Sequence, residues 1–273
     1  MLPAVLALAA IVIFPSLYLL WLSLQHWIVF QPRSYFNGLG NYLAVLQSGA
    51  FWDSVRVTAL YLVLSSALSL VLGLGLALAL TKEMVLRGVS RALITLPLLI
   101  PPVVAGFAWK FLLNREIGVI GGFLLPSLGI QESMLGNPTL ALISIVIADT
   151  WSKTAFMFLI LLAALQSIPP TYYEAARIDG ASGFQEFVHI TMPMIIPAII
   201  IGLIFRAIDA INTFDLIYVM TQGGPGTATQ TLSIFGWKTA FSFFDLGRGA
   251  AIAVIMMFTA VIATSLLTRR LHR

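Results

Sequence analysis

The chain has 273 residues, of which 59% are hydrophobic and only 10% charged, and its mean hydropathy is +0.98. Soluble domains keep about a quarter of their residues charged, so this chain cannot cover a water-facing surface and belongs with polytopic membrane proteins. The net charge of +4 fits the cytoplasmic loop bias of such a protein and gives no sign of nucleic-acid binding, and the absence of cysteine excludes disulfides, thiolate metal sites and a cysteine nucleophile.

A hydrocarbon core of about 30 Å takes about 20 apolar residues as helix. Windows of that kind predict six spans, at approximately residues 2–24, 57–80, 93–113, 139–165, 195–220 and 250–267. They must be helices, because lipid cannot satisfy free backbone groups and each window is about twice a barrel strand's length. The first starts without a basic residue ahead of it, so it reads as a retained span and not a secretory signal. In the third, Pro97, Pro101 and Pro102 each remove a backbone donor and predict a kink or break near its start. Such a break either is accommodated by neighbouring helices or lines a pathway. Lys110 closes that span and is expected to snorkel to the interface.

Lys82, Arg87, Arg91, Arg177, Arg269, Arg270 and Arg273 put seven cations on one side; Arg33, Arg56, Arg115, Lys238 and Arg248 put five on the other. The bias places both termini in the cytoplasm and three longer loops outside. Within the membrane, Asp149 and Lys153 are four residues apart, on one face of the fourth span, and are expected to neutralise each other. Trp151 lies beside them. In the fifth span Arg206 and Asp209 are three apart, followed by Asn212, Thr213 and Asp215. Ionisable groups at that depth cost about 2.5–3.5 kcal/mol each on insertion scales. The set acts either as glue between helices or as a polar path for a hydroxyl- or phosphate-bearing solute. A proton relay needs a carboxyl raised by burial, which an adjacent cation opposes.

Residues 166–193 link the fourth and fifth spans. Pro169 and Pro170 can open a helix, Glu174-Ala-Ala-Arg favours one, and Gly180 with Gly183 supports a sharp turn. A second short piece, Phe184 to Ile190, is expected to end before Pro193. Two short helices around a glycine turn form either a knob for a groove in a partner or a hairpin lying on lipid. Glu174, Ala175 and Ala176, Gly180 six residues after the Glu, then Ile190 and Pro193 resemble the EAA loop of permease subunits of bacterial ABC importers, with Met192 where the family usually has Leu. Phe214-Asp215, Tyr218, Thr221, Gly223-Gly224-Pro225, then Thr229, Leu232 and Ala240-Phe241 are similar to maltose-type and glycerol-3-phosphate-type permeases. Phe36, Gly38, Leu39, Asn41 and Tyr42 fit the same group.

The resemblance implies an all-α membrane protein, six transmembrane helices of the ABC importer permease type with a cytoplasmic coupling helix, forming one permease domain over residues 1–273 of a bacterial inner membrane. It implies that Glu174, Ala175, Ala176, Asp179 and Gly180 transmit motion from the ATPase. It also implies that the solute path near mid-bilayer involves Asp149, Trp151, Lys153, Arg206, Asp209, Asn212 and Thr213. The implied partners are a second related permease, two ATPase subunits, an external solute-binding protein and membrane lipid. No cofactor is expected in this chain, ATP and magnesium being bound by the ATPase partners. The expected cargo is a sugar or a related polyol phosphate, moved by alternating access. Two cationic groups leave room for an anion, but each has an acidic neighbour, so a neutral sugar is the first choice.

No P-loop occurs: Gly223-Gly224-Pro225-Gly226 lacks the G-x-x-x-x-G-K-[ST] frame and reads as a turn ending a membrane helix. His26, His189 and His272 are dispersed, without ligand spacing, and no serine stands in a G-x-S-x-G elbow, so nothing argues for catalysis. The competing class is a secondary transporter driven by an ion gradient, which predicts inverted repeats and an uncompensated membrane carboxylate.

Overall fold

The computed structural model describes residues 2–31, 33–81 and 86–269, with side chains from residue 9 onward; Lys82, Arg270, His272 and Arg273 lie outside the described residues. The chain is helical almost throughout. Helix α1 (Leu2–Ser23) leads to a short antiparallel ribbon, β1 (Gln25–His26) with β2 (Tyr35–Phe36), and then to α2 (Gly40–Leu46) and α3 (Gly49–Ala79). Next come α4 (Arg87–Thr95), a 3-10 turn at Leu96–Leu99, α5 (Pro102–Leu112), a wide turn into α6 (Leu125–Ser127) and α7 (Pro138–Gln166). Helices α8 (Pro170–Ile178) and α9 (Gly183–Glu186) form a hairpin that runs into α10 (Met192–Asn212). The chain ends with α11 (Asp215–Thr221), α12 (Leu232–Trp237) and α13 (Leu246–Thr268).

Among the described residues, four helices are long and apolar enough to cross a membrane: α3, α7, the continuous Gly183–Asn212 and α13. The bent pair of α4 and α5 makes up to five, and the apolar stretch Ala9–Ser23 within α1 is shorter than these. The break expected from the prolines of the third span is present: Arg87–Leu99 and Pro102–Leu112 meet at 97°, because Pro101 and Pro102 supply no donors to carry the ladder across.

Two expectations need correction. The piece from Phe184 does not end before Pro193; Gly183–Asn212 is one helix, and a wide π turn at Phe187–Thr191 absorbs the missing proline N–H. The predicted span 195–220, in turn, is not continuous. Asn212 Nδ2 donates to the Ile208 carbonyl at 2.7 Å and Thr213 Oγ1 to the Asp209 carbonyl at 2.8 Å. The backbone turns extended at Thr213 (φ −61°, ψ 116°), so α10 stops at Asn212 and α11 starts after a two-residue break.

Helix α7 is the centre. Asn137 caps it, accepting from the N–H groups of Thr139 and Leu140, with Pro138 at the first position. Of its most apolar window 61% is buried, against 28% or less for the other three long helices, so α7 is sheathed by protein while the others lie on the outside of the chain. Its broadest contact is with α3. Around it lie a cluster of Tyr61, Ile145, Ile217 and Ile234, and another of Ala77, Met157, Phe158, Leu161 and Ile195. Gln222 (φ 55°), Gly223 (φ 88°) and Gly226 (φ 60°) turn the chain after α11, as expected, and Thr229 Oγ1 ties that turn to the Gly224 carbonyl at 2.8 Å.

Candidate functional site

Helix α7 carries Asp149 and Lys153 one turn apart, and α10 carries Arg206 and Asp209 in the same way, so four charges meet between two helices. Arg206 is 1% exposed and divides its guanidinium: Nη2 donates to Asp149 Oδ2 at 2.5 Å and to Ser65 Oγ of α3 at 3.0 Å, while Nη1 donates to Asp209 Oδ2 at 2.6 Å. Lys153 Nζ donates to the other oxygen of Asp209 at 3.0 Å. The expected pair Arg206–Asp209 is present. The expected neutralisation of Asp149 by Lys153 is not; the charges run as a chain, Asp149–Arg206–Asp209–Lys153. Residues four apart share a face, so both point at the facing helix, where the planar fork of Arg206 can serve two carboxylates at once.

Exposure divides the chain in two. Asp149 and Arg206 are each 1% exposed, whereas Lys153 is 23% and Asp209 40% exposed. The exposed pair forms a wall between two cavities. One, of about 240 Å³, is lined by Pro102, Ser152, Lys153, Asp209, Thr213 and Asp215 among others; the second, of about 190 Å³, by Leu98, Lys153, Phe156, Phe205, Arg206 and Asp209. Pro102 places the broken third span on the larger cavity, and Asn212 and Thr213 line it as well. Phe214 also lines it and is stacked on Tyr218 at 5.0 Å, with Trp237 tilted against Phe214 and edge-on to Tyr218.

Trp151 departs from expectation. It is not on this cavity but packs edge-on against Trp109 of α5 at 6.1 Å, because two residues along a helix turn it away from the face of Asp149. Lys110 donates to the Val219 carbonyl at 3.1 Å, tying α5 to α11. Sequence reasoning missed Ser65, and with it Tyr61, which is fully buried in the same core. A signal existed in Ser65, Ser66 and Ser69, three hydroxyls within an apolar span. Among the described residues there is no group of three or more His, Cys, Asp or Glu able to hold a metal ion.

At the other end of the bundle, α8 carries Glu174, Ala175 and Ala176, followed by Asp179 and Gly180. Gly180 has φ +79°, a left-handed conformation that a side chain strains, and its turn is closed by the N–H of Ala181 donating to the Ala176 carbonyl at 2.9 Å. Ala176, Asp179 and Gly180 border a cleft of about 290 Å³ with Gln185 and His189, while Glu174 is exposed on α8. Arg177 Nε donates to Glu186 at 2.9 Å; that bond and the carboxylate's charge raise the guanidinium pKa above its ordinary value. Arg87 and Arg91 of α4 reach Gln166 at the end of α7, at 2.7 and 3.1 Å to its amide oxygen.

Residues 69–273 match the family described as binding-protein-dependent transport system inner membrane components. The chain belongs to that family. It is 40% identical over 265 residues to the trehalose/maltose transport system permease of Thermococcus litoralis, covering 97% of this chain and 88% of that one. It is 36% identical to the trehalose transport system permease of Mycobacterium tuberculosis H37Rv, covering 96% and 84%, and 32% identical to the sn-glycerol-3-phosphate transport system permease of Agrobacterium fabrum, covering 86% and 80%. Among solved structures, a chain of a bacterial ABC transporter that imports alginate superposes with a TM-score of 0.85 at 21% identity, covering 100% of this chain and 93% of that one. This multi-pass inner-membrane protein is thus a permease subunit of an ATP-driven importer, and not an ion-gradient carrier, and the relatives named above are permeases for carbohydrates and a polyol phosphate.

Proposed function

We propose that this permease conducts a neutral sugar through a path at the junction of α5, α7, α10 and α11, in six membrane passes with both termini in the cytoplasm. The passes are α1, α3, the bent pair α4–α5, α7, the helix Gly183–Asn212 and α13. It works with a second related permease, two ATPase subunits that bind ATP and magnesium, an external solute-binding protein and surrounding lipid. The hairpin of α8 and α9, bearing Glu174, Ala175, Ala176, Asp179 and Gly180, docks on the ATPase. ATP-driven closure moves the hairpin, and the cavity alternates between the two sides. The excess of Lys and Arg beside the hairpin supports this orientation, as does the contact of Arg87 and Arg91 with Gln166, at the α7 end next to the hairpin.

The observation that carries the reading is the cavity wall formed by Lys153 and Asp209. The pair is polar, partly exposed and shared by two cavities. The cations in the network are already matched by carboxylates, and Asp215 adds a further acid to the larger cavity. Such a surface repels phosphate and suits hydroxyl groups, with Phe214 offering a ring face to a sugar. The names of the trehalose and maltose relatives agree with this class. The test is ATP-dependent uptake of labelled trehalose and maltose by proteoliposomes holding the whole importer. Uptake abolished in Glu174→Ala and Gly180→Ala, with the ATPase subunits still assembled, supports the reading; unchanged uptake in both removes the docking assignment. Uptake of a sugar phosphate in preference to either disaccharide overturns the solute class.

A further inference from the structure

The hairpin that ends at Gly180 is tied across its two limbs at two heights. Near the turn, Arg177 Nε of α8 donates to Glu186 Oε1 of α9 at 2.9 Å. One turn further from it, the Tyr173 hydroxyl lies 2.9 Å from Thr191 Oγ1. Thr191 Oγ1 donates to the Glu186 carbonyl at 3.4 Å, so the tyrosine is the donor in the second tie. Residues 173 and 177 are one helical turn apart, about 6 Å along the axis. A single tie between two rods is a pivot; two ties at different heights fix their relative rotation.

Tyr173 and Ile190 pack on the buried cluster at the ends of α3 and α7, and the ties stand beside an open space that this packing leaves. Tyr173, Arg177, Glu186 and Thr191 all line a space of about 680 Å³ that separates the hairpin from the ends of α3 and α7 at Leu78, Thr81 and Leu165. Beyond the ties, the second limb has its own start and no break. Ser182 and Gln185 form a capping box, and the helix then continues to Asn212. Glu186 and Arg206 are 20 residues apart on it, about 30 Å at 1.5 Å per residue. An exposed ion pair such as Arg177–Glu186 contributes little to stability by itself, so its consequence is geometric.

We propose that the Arg177–Glu186 and Tyr173–Thr191 ties make the α8–α9 hairpin and helix α10 a single rigid lever, so that a push on α8 arrives at Arg206 and Asp209 as one displacement. The four residues are positioning residues for coupling. The inference rests on the reading of the hairpin as the ATPase-docking element.

The test uses the whole importer in proteoliposomes. The chain has no cysteine, so Thr171→Cys on α8 and Ile196→Cys on α10, both exposed, accept a pair of spin labels without background from this chain, and an importer lacking both substitutions, labelled in parallel, gives the signal of the partner subunits. With native ties, the distance distribution between the labels is single and stays the same between the nucleotide-free and the vanadate-trapped ATP states. In Y173F with R177Q the distribution broadens or splits, and disaccharide moved per ATP hydrolysed falls by about fivefold or more, the low end of ordinary coupling between sites. The exchanged pair Arg177→Glu with Glu186→Arg, in an otherwise native chain, restores both readouts relative to R177Q alone. A distribution that stays single in Y173F with R177Q, or one that shifts with nucleotide in the native chain, overturns the lever. Failure of the underlying docking reading shows separately, as Glu174→Ala and Gly180→Ala importers that still transport.

Discussion

Replacing Arg206 with Met separates charge from ordinary hydrogen bonding as the reason that α7 and α10 stay together. Arg206 and Asp149 are both 1% exposed, and the pair is joined at 2.5 Å. Removing the guanidinium strands the Asp149 carboxylate in a dry site, and breaking a buried pair from one side costs about 3–5 kcal/mol. At about 1.4 kcal/mol per decade, that is two or more decades in the fraction folded. If only interhelical hydrogen bonds mattered, the two that Arg206 makes, to Asp149 and Ser65, at the roughly 0.6 kcal/mol average for membrane proteins would cost about 1 kcal/mol. Combining Arg206→Met with Asp149→Leu decides between these. Removing both charges leaves Asp209 with Lys153 at 3.0 Å and is expected to return stability to within about 1 kcal/mol of the parent, since hydrophobic replacement of a whole buried pair is often neutral. Thermal unfolding of the detergent-solubilised chain, followed by size-exclusion fluorescence, reads both variants. A double variant no better than the single one refutes the stranded-charge reasoning, as does an Arg206→Met loss below about 1 kcal/mol.

The partly exposed members behave differently. Asp209→Asn and Lys153→Met keep normal abundance but change the concentration dependence of disaccharide uptake; lowered abundance with unchanged transport by the remaining protein would make this pair glue as well. Two glycines close on Met157 from opposite sides: a Cβ on Gly202 meets the Met157 Sδ at 2.8 Å, whereas one on Gly73 meets Met157 Cβ at 2.9 Å and the Phe158 backbone nitrogen at 3.0 Å. Gly202→Ala is therefore tolerated, because the flexible thioether end gives way, and Gly73→Ala loses about 1–3 kcal/mol by overpacking; equal melting temperatures for the two variants refute this. Asp215→Asn removes the acid that the cavity does not match, and is expected to raise uptake of a sugar phosphate relative to a neutral disaccharide in a competition assay. An unaltered ratio places Asp215 outside the solute path.

What the chain made legible was composition, periodicity and backbone chemistry. The apolar windows located the long helices, and the prolines at 97, 101 and 102 located the 97° bend. What it hid were matters decided by neighbours. Asn212 and Thr213 sit in an apolar context that reads as unbroken, yet the backbone turns extended at Thr213 and the helix ends there. Pro193 reads as a stop, yet one wide turn lets the helix pass. Spacing of four residues put Asp149 and Lys153 on one face but did not specify which cation each carboxylate meets, because the facing helix brings a guanidinium with two arms. Ser65 joins through a third helix, 141 residues away in sequence.

The charge chain has one strong and one weak junction. Arg206–Asp149 is the more protected, each group being 1% exposed at the edge of a cavity, so solvent competes less for it. Lys153–Asp209 stands at the cavity wall with water within reach of both groups, where screening reduces the attraction and a hydroxyl-bearing solute can take over either group's hydrogen bond. Arg206 holds Asp209 in place from behind at 2.6 Å, so the carboxylate does not follow Lys153 when that bond breaks.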